Sequence, residues 1–548
     1  MNYRERYAQW LKAPWIDEKT RAELAALTDE KDIEDRFYKD LEFGTAGMRG
    51  IMGAGTNRMN RCTVRKATFG LANYLKNEFP AAYKNGVVIA YDSRNHSDEF
   101  ASEAAMVLCA CGVPVKIFKQ LEPVPVLSFA VRFLGAAGGV VITASHNPPE
   151  YNGYKVYDAE GCQLVPALAD KLTAYVESVS DLSSIPLTGG SERLTWIGQE
   201  VVEKFLDAVQ QSSIPQKNAP QLKVVYTPLH GSGLVPVCAI LKRCGFTDVT
   251  VVPEQEKPDG NFPTVQAPNP ENRTALQLGI ELARKNGADI VIGTDPDSDR
   301  IGCAVKHNGD YQLLSGNQTG ALLADFVISH RKITPKSTLI TTVVTGELGA
   351  QAAMSRGVKV QRTLTGFKYI GEKITQFQKT GEAEFVMGYE ESYGYLVGTH
   401  ARDKDGVTAA MLICEMASEA KAAGATLIDR LEALYARLGF YLDAQDSFTL
   451  KGRDGALQIA AKMTWLREHG SGFPGVSEIL DYSKGIGGLP PENVMKFLCS
   501  DGSWFAVRPS GTEPKIKIYY CMKAADRHEA ETKLAARRQA LESALELR

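Results

Sequence analysis

The stretch DIVIGTDPDSD, from Asp289 to Asp299, runs from β-branched apolar residues straight into three alternating carboxylates. A short, continuous apolar run of this kind reads as a strand buried on both faces, with its polar end as the cargo it delivers. Four further stretches repeat the plan: GVVIAYDSR (Gly86 to Arg94), GGVVITASHN (Gly138 to Asn147), KVVYTPLHG (Lys223 to Gly231) and LITTVVTG (Leu339 to Gly346). Helical patterns lie between them, the alternation that βαβ units require. Ligands of open α/β sheets bind beyond the carboxyl ends of the strands, so these polar ends predict one composite site.

With 548 residues the chain exceeds what one core can organise, and roughly three or four domains are expected. Its 62 basic and 65 acidic residues leave a formal charge of -3, which gives no reason to expect nucleic acid; any anion must be met by a few placed cations. The opening MNYRERYAQWLKAPW is charged, and no apolar run reaches membrane-spanning length, so no membrane partner and a cytoplasmic location are expected. Ten cysteines are scattered without a CxxC pair, a pattern of reduced packing thiols and not of a zinc site or disulfide framework. Oligomeric state is not readable from these features.

A helical pattern from Asp17 to Leu41 precedes the glycine-rich EFGTAGMRGIMGAGTNRMN. Composition loosens at Asp181 to Gly190 and at Gln210 to Pro220, the second just before a fresh βα pattern, and another boundary is expected near Asp443. After Val494 two strand-like runs flank a turn at Asp501-Gly502, which predicts an antiparallel hairpin. The expected fold is α/β: three tandem βα-type domains with mixed or parallel sheets (1–215, 216–322, 323–443) and a C-terminal α+β domain (444–548).

In DPDSDR the alternate spacing lets Asp295, Asp297 and Asp299 converge on one hard cation, and at a buried strand end they would repel each other without one. An EF-hand is excluded, since the sixth loop position is Arg300 and the twelfth Lys306. With three carboxylates and no His or Cys within DPDSDR itself, Mg²⁺ is favoured over zinc. Ser145 beside His146 suggests a hydrolase dyad, but neighbours in an extended loop point apart, so the two are expected to be poor partners. RPSGTEPK (Arg508 to Lys515) joins a guanidinium, two hydroxyls and a glycine in a turn suited to phosphate, and GYEESYGY (Gly388 to Tyr395) offers carboxylates and a hydroxyl suited to sugar. The spacing of Gly44, Gly47 and Gly50 is wrong for a dinucleotide fingerprint, and Walker A and GxSxG patterns are absent.

Taken in order, Arg49, TASHNP, DPDSDR, the Glu/Ser loop and RPSGTEP resemble the α-D-phosphohexomutase superfamily over nearly the whole chain. The segment LEFGTAGMRGIMGAGTNRMN looks like its long-chain phosphoglucomutase and phosphopentomutase branch. The resemblance implies four domains around a central cleft. It also implies a phosphoserine at Ser145, with Ser145, Asp295, Asp297 and Asp299 holding one Mg²⁺ per chain. A phosphoserine carries about -1.5 to -2 charge, so this loop would hold nearly -5 against +2. Arg49 and Arg300 are the candidate counter-charges, Lys155 matches the family lysine near the transferring oxygen, and His146 completes the expected catalytic set.

Transfer needs alignment and neutralisation more than covalent help. The implied cycle passes the Ser145 phosphate to a sugar monophosphate, turns the bisphosphate over, and returns its other phosphate to Ser145. Glucose 1,6-bisphosphate would then act as activator. Glu390 and Ser392 are expected on the sugar hydroxyls, Arg508, Ser510, Gly511 and Thr512 on the distal phosphate, and Lys368 and Lys404 beside the sugar phosphate. Where related enzymes place a histidine after the Glu-x-Ser motif, this chain has Tyr393 and Gly394. The expected reaction interconverts glucose 1-phosphate and glucose 6-phosphate; phosphomannomutase, phosphopentomutase and glucose-1,6-bisphosphate synthase share the same core. A noncatalytic sugar-phosphate binder or a simple Mg²⁺ phosphatase are the readings from other classes.

Overall fold

The run around Ile290 is the middle of a five-stranded sheet in the computed structural model, ordered Asp310–Leu314, Ile301–His307, Ile290–Thr294, Lys223–Thr227, Asp248–Val251. Ile290–Thr294 is parallel to Lys223–Thr227 and antiparallel to Ile301–His307. The chain therefore leaves the strand at Thr294, turns through the three aspartates and returns along its own edge. All five residues of Ile290–Thr294 are buried, because helix Gln277–Asn286 sets Ile280 and Ala283 against Val225 and Val291. The structure describes residues 2–44, 47–450, 452–510 and 515–547, the side chains of 220 and 452–454 aside.

A second sheet of seven strands is ordered Phe43–Gly44, Gly47–Ile51, Tyr151–Tyr157, Gly138–Ile142, Val87–Tyr91, Val115–Phe118, Leu194–Ile197. Val87–Tyr91 is parallel to both Gly138–Ile142 and Val115–Phe118, which puts Asp92–Arg94 and Thr143–Asn147 at the same end. Tyr151–Tyr157 returns antiparallel to Gly138–Ile142, and Gly47–Ile51 runs antiparallel to it in turn. Gly47 has φ +85, and a Cβ there would stand 2.2 Å from Tyr154 O, so glycine alone lets the two strands close.

The expected helical pattern resolves into Glu18–Ala25 and Glu30–Phe37, preceded by Tyr3–Lys12. Their apolar faces (Trp10, Leu24, Ile33, Phe37) enclose Ala54 and Cys62. Arg36 Nη1 donates to Ala54 O at 3.1 Å and Ala54 N donates to Glu23 Oε1 at 3.0 Å, fixing the glycine-rich segment that follows Gly47–Ile51.

The chain packs as two compact units. The first comprises Met1–Leu314, Phe367–Glu382 and Tyr393–Ala423, and holds both sheets above; the second comprises Ser315–Gly366, Ala383–Ser392 and Gly424–Arg548. In the second, Lys359–Thr363 and Glu384–Glu390 flank Ser337–Thr342, both parallel to it. A fully antiparallel sheet follows, ordered Phe440–Thr449, Lys515–Ala524, Trp504–Pro509, Met495–Cys499, Val476–Asp481. The predicted hairpin is present: Leu498 pairs with Trp504, and Ser503 N donates to Asp501 Oδ1 at 2.9 Å across the turn. Asp443 lies inside Phe440–Thr449, opposite Cys521, so a boundary placed there falls within a paired strand. The fold is thus α/β, with mixed, parallel-rich sheets and an antiparallel C-terminal sheet. All ten cysteines are free thiols, eight of them buried. Among the described residues no helix is long and apolar enough to cross a membrane.

Candidate functional site

In the first unit, the carboxyl ends of Gly138–Ile142 and Ile290–Thr294 meet. Ser145 is 3 % exposed and takes the left-handed conformation, φ 52, with its N–H donating to Thr143 Oγ1 at 2.8 Å. This aims the Ser145 hydroxyl at Asp295, Oγ to Oδ2 2.7 Å. The same turn overturns the expectation that Ser145 and His146 point apart: Ser145 Oγ lies 3.1 Å from His146 Nδ1. Alternation of side chains holds for extended backbone, and a residue at positive φ breaks it. The hydroxyl has one proton for two partners.

Asp295, Asp297 and Asp299 are buried, and each offers a carboxylate oxygen within 4.8 Å of the others. Asp295 Oδ1 accepts the N–H groups of Asp299 and Arg300 at 3.1 and 3.0 Å, a turn that folds the loop back on its first residue. Asp297 Oδ2 accepts from Lys155 Nζ at 3.1 Å, and Asp299 Oδ2 lies 3.1 Å from Lys404 Nζ. Among the described residues, Asp297 Oδ1 and Asp299 Oδ1 are buried without a hydrogen-bond partner. Buried carboxylate oxygens left unpaired are costly, and converging all-oxygen donors are what a hard divalent cation requires. The residues present therefore fit such an ion.

Electrostatics divides the three acids. Burial, then the Asp297 and Asp299 charges, drives the Asp295 carboxyl well above the ordinary range. Burial and the Asp297 charge also raise Asp299. Burial would raise Asp297 as well, but the Lys155 ammonium and the hydrogen bonds of Asp295 and Lys155 hold it well below. Burial, and then the Arg300 and Arg49 charges, push His146 well below the usual imidazole range, so the ring is neutral at neutral pH.

Around this core, Arg49 is exposed and donates Nη1 to Asn147 Oδ1 at 3.0 Å. Arg300 pairs with Glu271 through Nη1. Lys404 also lies 3.1 Å from Asp403 Oδ1, and Asp403 Oδ2 accepts from Tyr157 OH at 2.7 Å. A Cβ on Gly394 would stand 2.1 Å from Lys404 Cδ, so that glycine gives the lysine stem its path. Lys368, half-buried, is the second residue of helix Phe367–Thr380, with its ammonium 5.5 Å from the centre of the Tyr369 ring.

In the second unit, Glu390 is 5 % exposed and accepts Gly366 N–H at 2.8 Å; Ser392 is half-buried at the end of the same segment. Arg508 donates Nε to Glu492 Oε1 at 2.9 Å and lies beside Tyr519, whose hydroxyl is pushed up by burial and by the Glu391 charge. Ser510 N donates to Lys515 O at 2.7 Å. Gly511 and Thr512 lie outside the described residues.

Sequence reasoning missed Asp92, Arg94, Thr143, Glu271 and Asp403. Thr143 Oγ1 stands 2.7 Å from Asp92 Oδ2 and 3.0 Å from Asp297 Oδ2, linking the serine loop to the aspartate loop. The available signal was the polar end of GVVIAYDSR, which lies at the same sheet end as TASHN.

Four family models match in order: phosphoglucomutase/phosphomannomutase alpha/beta/alpha domain I over 40–182, domain II over 203–309, domain III over 315–438, and the C-terminal domain over 459–538. A phosphoglucomutase of Staphylococcus haemolyticus is 36% identical over 536 residues, covering 93% of this chain and 96% of the relative. One from Staphylococcus aureus is 37% identical, covering 92% and 94%. Among solved structures, a phosphoglucomutase/phosphomannomutase family protein of Burkholderia thailandensis superposes with TM-score 0.70 at 20% identity, covering 92% of this chain and 97% of that one. The open form of the Paramecium phosphoglucomutase pp63/parafusin gives TM-score 0.70 at 17% identity, covering 93% and 95%; both likenesses speak to fold.

Proposed function

Since this chain belongs to the phosphoglucomutase/phosphomannomutase family of the α-D-phosphohexomutase superfamily, and is an isomerase of that kind, we propose how its residues carry out the reaction. The substrates are α-D-glucose 1-phosphate and glucose 6-phosphate, interconverted through a phosphoserine at Ser145 and glucose 1,6-bisphosphate, which also activates the enzyme. The observation that carries this reading is the 2.7 Å contact between Ser145 Oγ and Asp295 within a cluster of three buried carboxylates.

Asp295, Asp297 and Asp299, together with Ser145, would hold one Mg²⁺ per chain. When bound, that ion neutralises charge on the transferring phosphoryl oxygens. Lys155 and Lys404, on Asp297 and Asp299, keep the anionic loop close to balance, with Arg49 and Arg300 at its edge. A neutral His146 Nδ1, 3.1 Å from Ser145 Oγ, can accept a hydrogen bond from the hydroxyl while the phosphoryl group is elsewhere. Glu390 and Ser392 bind sugar hydroxyls, Lys368 positions the sugar phosphate, and Arg508, Ser510, Gly511 and Thr512 hold the distal phosphate. The partners are small sugar phosphates, with no nucleic acid or membrane, and the site of action is the cytoplasm.

The test is kcat/KM on the 1-phosphates of glucose, mannose and ribose, with intact mass of the enzyme after bisphosphate treatment. Highest efficiency on glucose 1-phosphate and a single added phosphate mapping to Ser145 are expected. A preference for mannose or ribose, or an unmodified serine, would overturn the assignment.

A further inference from the structure

Arg94 closes the strand segment GVVIAYDSR and its side chain is fully buried. Its fork is spent on backbone: Nη1 donates to Pro148 O at 2.9 Å and Tyr151 O at 3.0 Å, while Nη2 donates to Ser145 O at 2.6 Å and to Asn147 O. One guanidinium thus binds four carbonyls of the loop that presents Ser145. Its own position is fixed twice. Asp92 accepts Arg94 N–H at 2.9 Å and its other oxygen stands 3.4 Å from Arg94 Nε. The Phe262 ring lies 4.9 Å from the guanidinium, on a chain that is itself left-handed at φ 46. Beside it, Asn95 Nδ2 donates to Asn261 Oδ1 at 2.9 Å, and a Cβ on Gly260 would stand 2.2 Å from Asn95 N, so the segment is seated without slack.

Left-handed serine is disfavoured unless its surroundings over-determine it. The Ser145 N–H is held by Thr143 and its carbonyl by Arg94. Arginine suits this work because its planar fork offers five donors in fixed directions, whereas an ammonium offers three on a freely rotating stem.

We propose that Arg94 is a positioning residue for phosphoryl transfer: by binding the 145–151 loop carbonyls it holds Ser145 in the left-handed turn that aims Oγ at Asp295, and Phe262 keeps the guanidinium in place. The inference rests on Ser145 being the phosphoryl carrier. Because the described contacts of the Arg94 guanidinium are to backbone carbonyls, to Asp92 and to the Phe262 ring, its loss misaligns transfer without removing a substrate contact.

The test uses Arg94→Lys and Phe262→Leu in the full chain, each checked for folding by thermal melting. Quench-flow with intact mass follows phosphate uptake from glucose 1,6-bisphosphate onto Ser145, beside steady-state kcat and KM for glucose 1-phosphate. Misalignment by about an ångström costs on the order of a hundredfold, so Arg94→Lys should lower uptake and kcat by about ten- to a hundredfold with KM within about twofold. Phe262→Leu should show the same split at about two- to fivefold. Wild-type uptake in a folded Arg94→Lys protein overturns the proposal, as does a raised KM with kcat kept. If Arg94→Lys does not fold, Phe262→Leu decides by the same split. Absence of phosphate on Ser145 in the wild type would instead remove the carrier reading, a distinguishable result.

Discussion

Lys404 Nζ stands 3.1 Å from Asp299 Oδ2 and 3.1 Å from Asp403 Oδ1, inside the carboxylate cluster. A lysine there competes with a divalent cation for the same negative charge. Its removal should therefore have opposite effects on metal binding and on chemistry. For Lys404→Met we expect the half-saturating Mg²⁺ concentration to fall by about three- to tenfold while kcat drops by about tenfold or more, each tenfold being about 1.4 kcal/mol. A Mg²⁺ titration of activity measures both. A role confined to gripping the sugar phosphate predicts a raised KM and unchanged metal dependence.

Ser145→Ala removes the group that gives and receives phosphate. Loss of a nucleophile of this kind costs at least about a thousandfold in kcat. Intact mass after bisphosphate treatment should show no added phosphate in the variant, and retention of the modification would place the carrier elsewhere.

What the sequence announces and what it conceals divide along a physical line. The strands Ile290–Thr294 and Gly138–Ile142, and the side chains at their carboxyl ends, are legible because buried runs and converging carboxylates have few alternative uses. The Arg94 clamp is not, since its partners are carbonyls, and every residue type has one. The pairing of Ser145 with His146 was hidden by the same kind of fact: it depends on φ 52 at a non-glycine residue, a conformation that local propensity disfavours and only the assembled site imposes. Lys404 reads as a loop cation in sequence; its contact with Asp299 exists because Gly394 leaves its stem room.

Glu122 supplies a pH test of stability. It is 9 % exposed, and burial alone raises its carboxyl from 4.5 to about 8. The folded protein thus holds a proton that the unfolded chain releases between those values. Its contribution to stability is full below about pH 4.5 and is lost as pH rises through about 8. Glu122→Gln keeps the neutral shape, so its melting temperature should match the wild type near pH 5 and exceed it near pH 9, by an amount worth on the order of a few kcal/mol. Equal melting temperatures at both pH values would show that Glu122 ionises in place without cost.

Arg508 carries the last prediction. Its Nε is held by Glu492 at 2.9 Å, which leaves the proposed phosphate contact to the rest of the fork. A charge-assisted hydrogen bond from arginine is worth about 1.5 to 3 kcal/mol, so its loss should shorten the residence of the bisphosphate by roughly tenfold or more. Escape then competes with the second transfer, and every escape leaves Ser145 without phosphate. Arg508→Ala should accordingly release more glucose 1,6-bisphosphate per monophosphate converted, accumulate unphosphorylated enzyme, and need more added bisphosphate to sustain turnover. An arginine that only ties Glu492 to the Trp504–Pro509 strand would change melting temperature and leave all three quantities alone. Released bisphosphate per turnover separates the cases: an unchanged ratio together with an unchanged KM takes Arg508 out of the site.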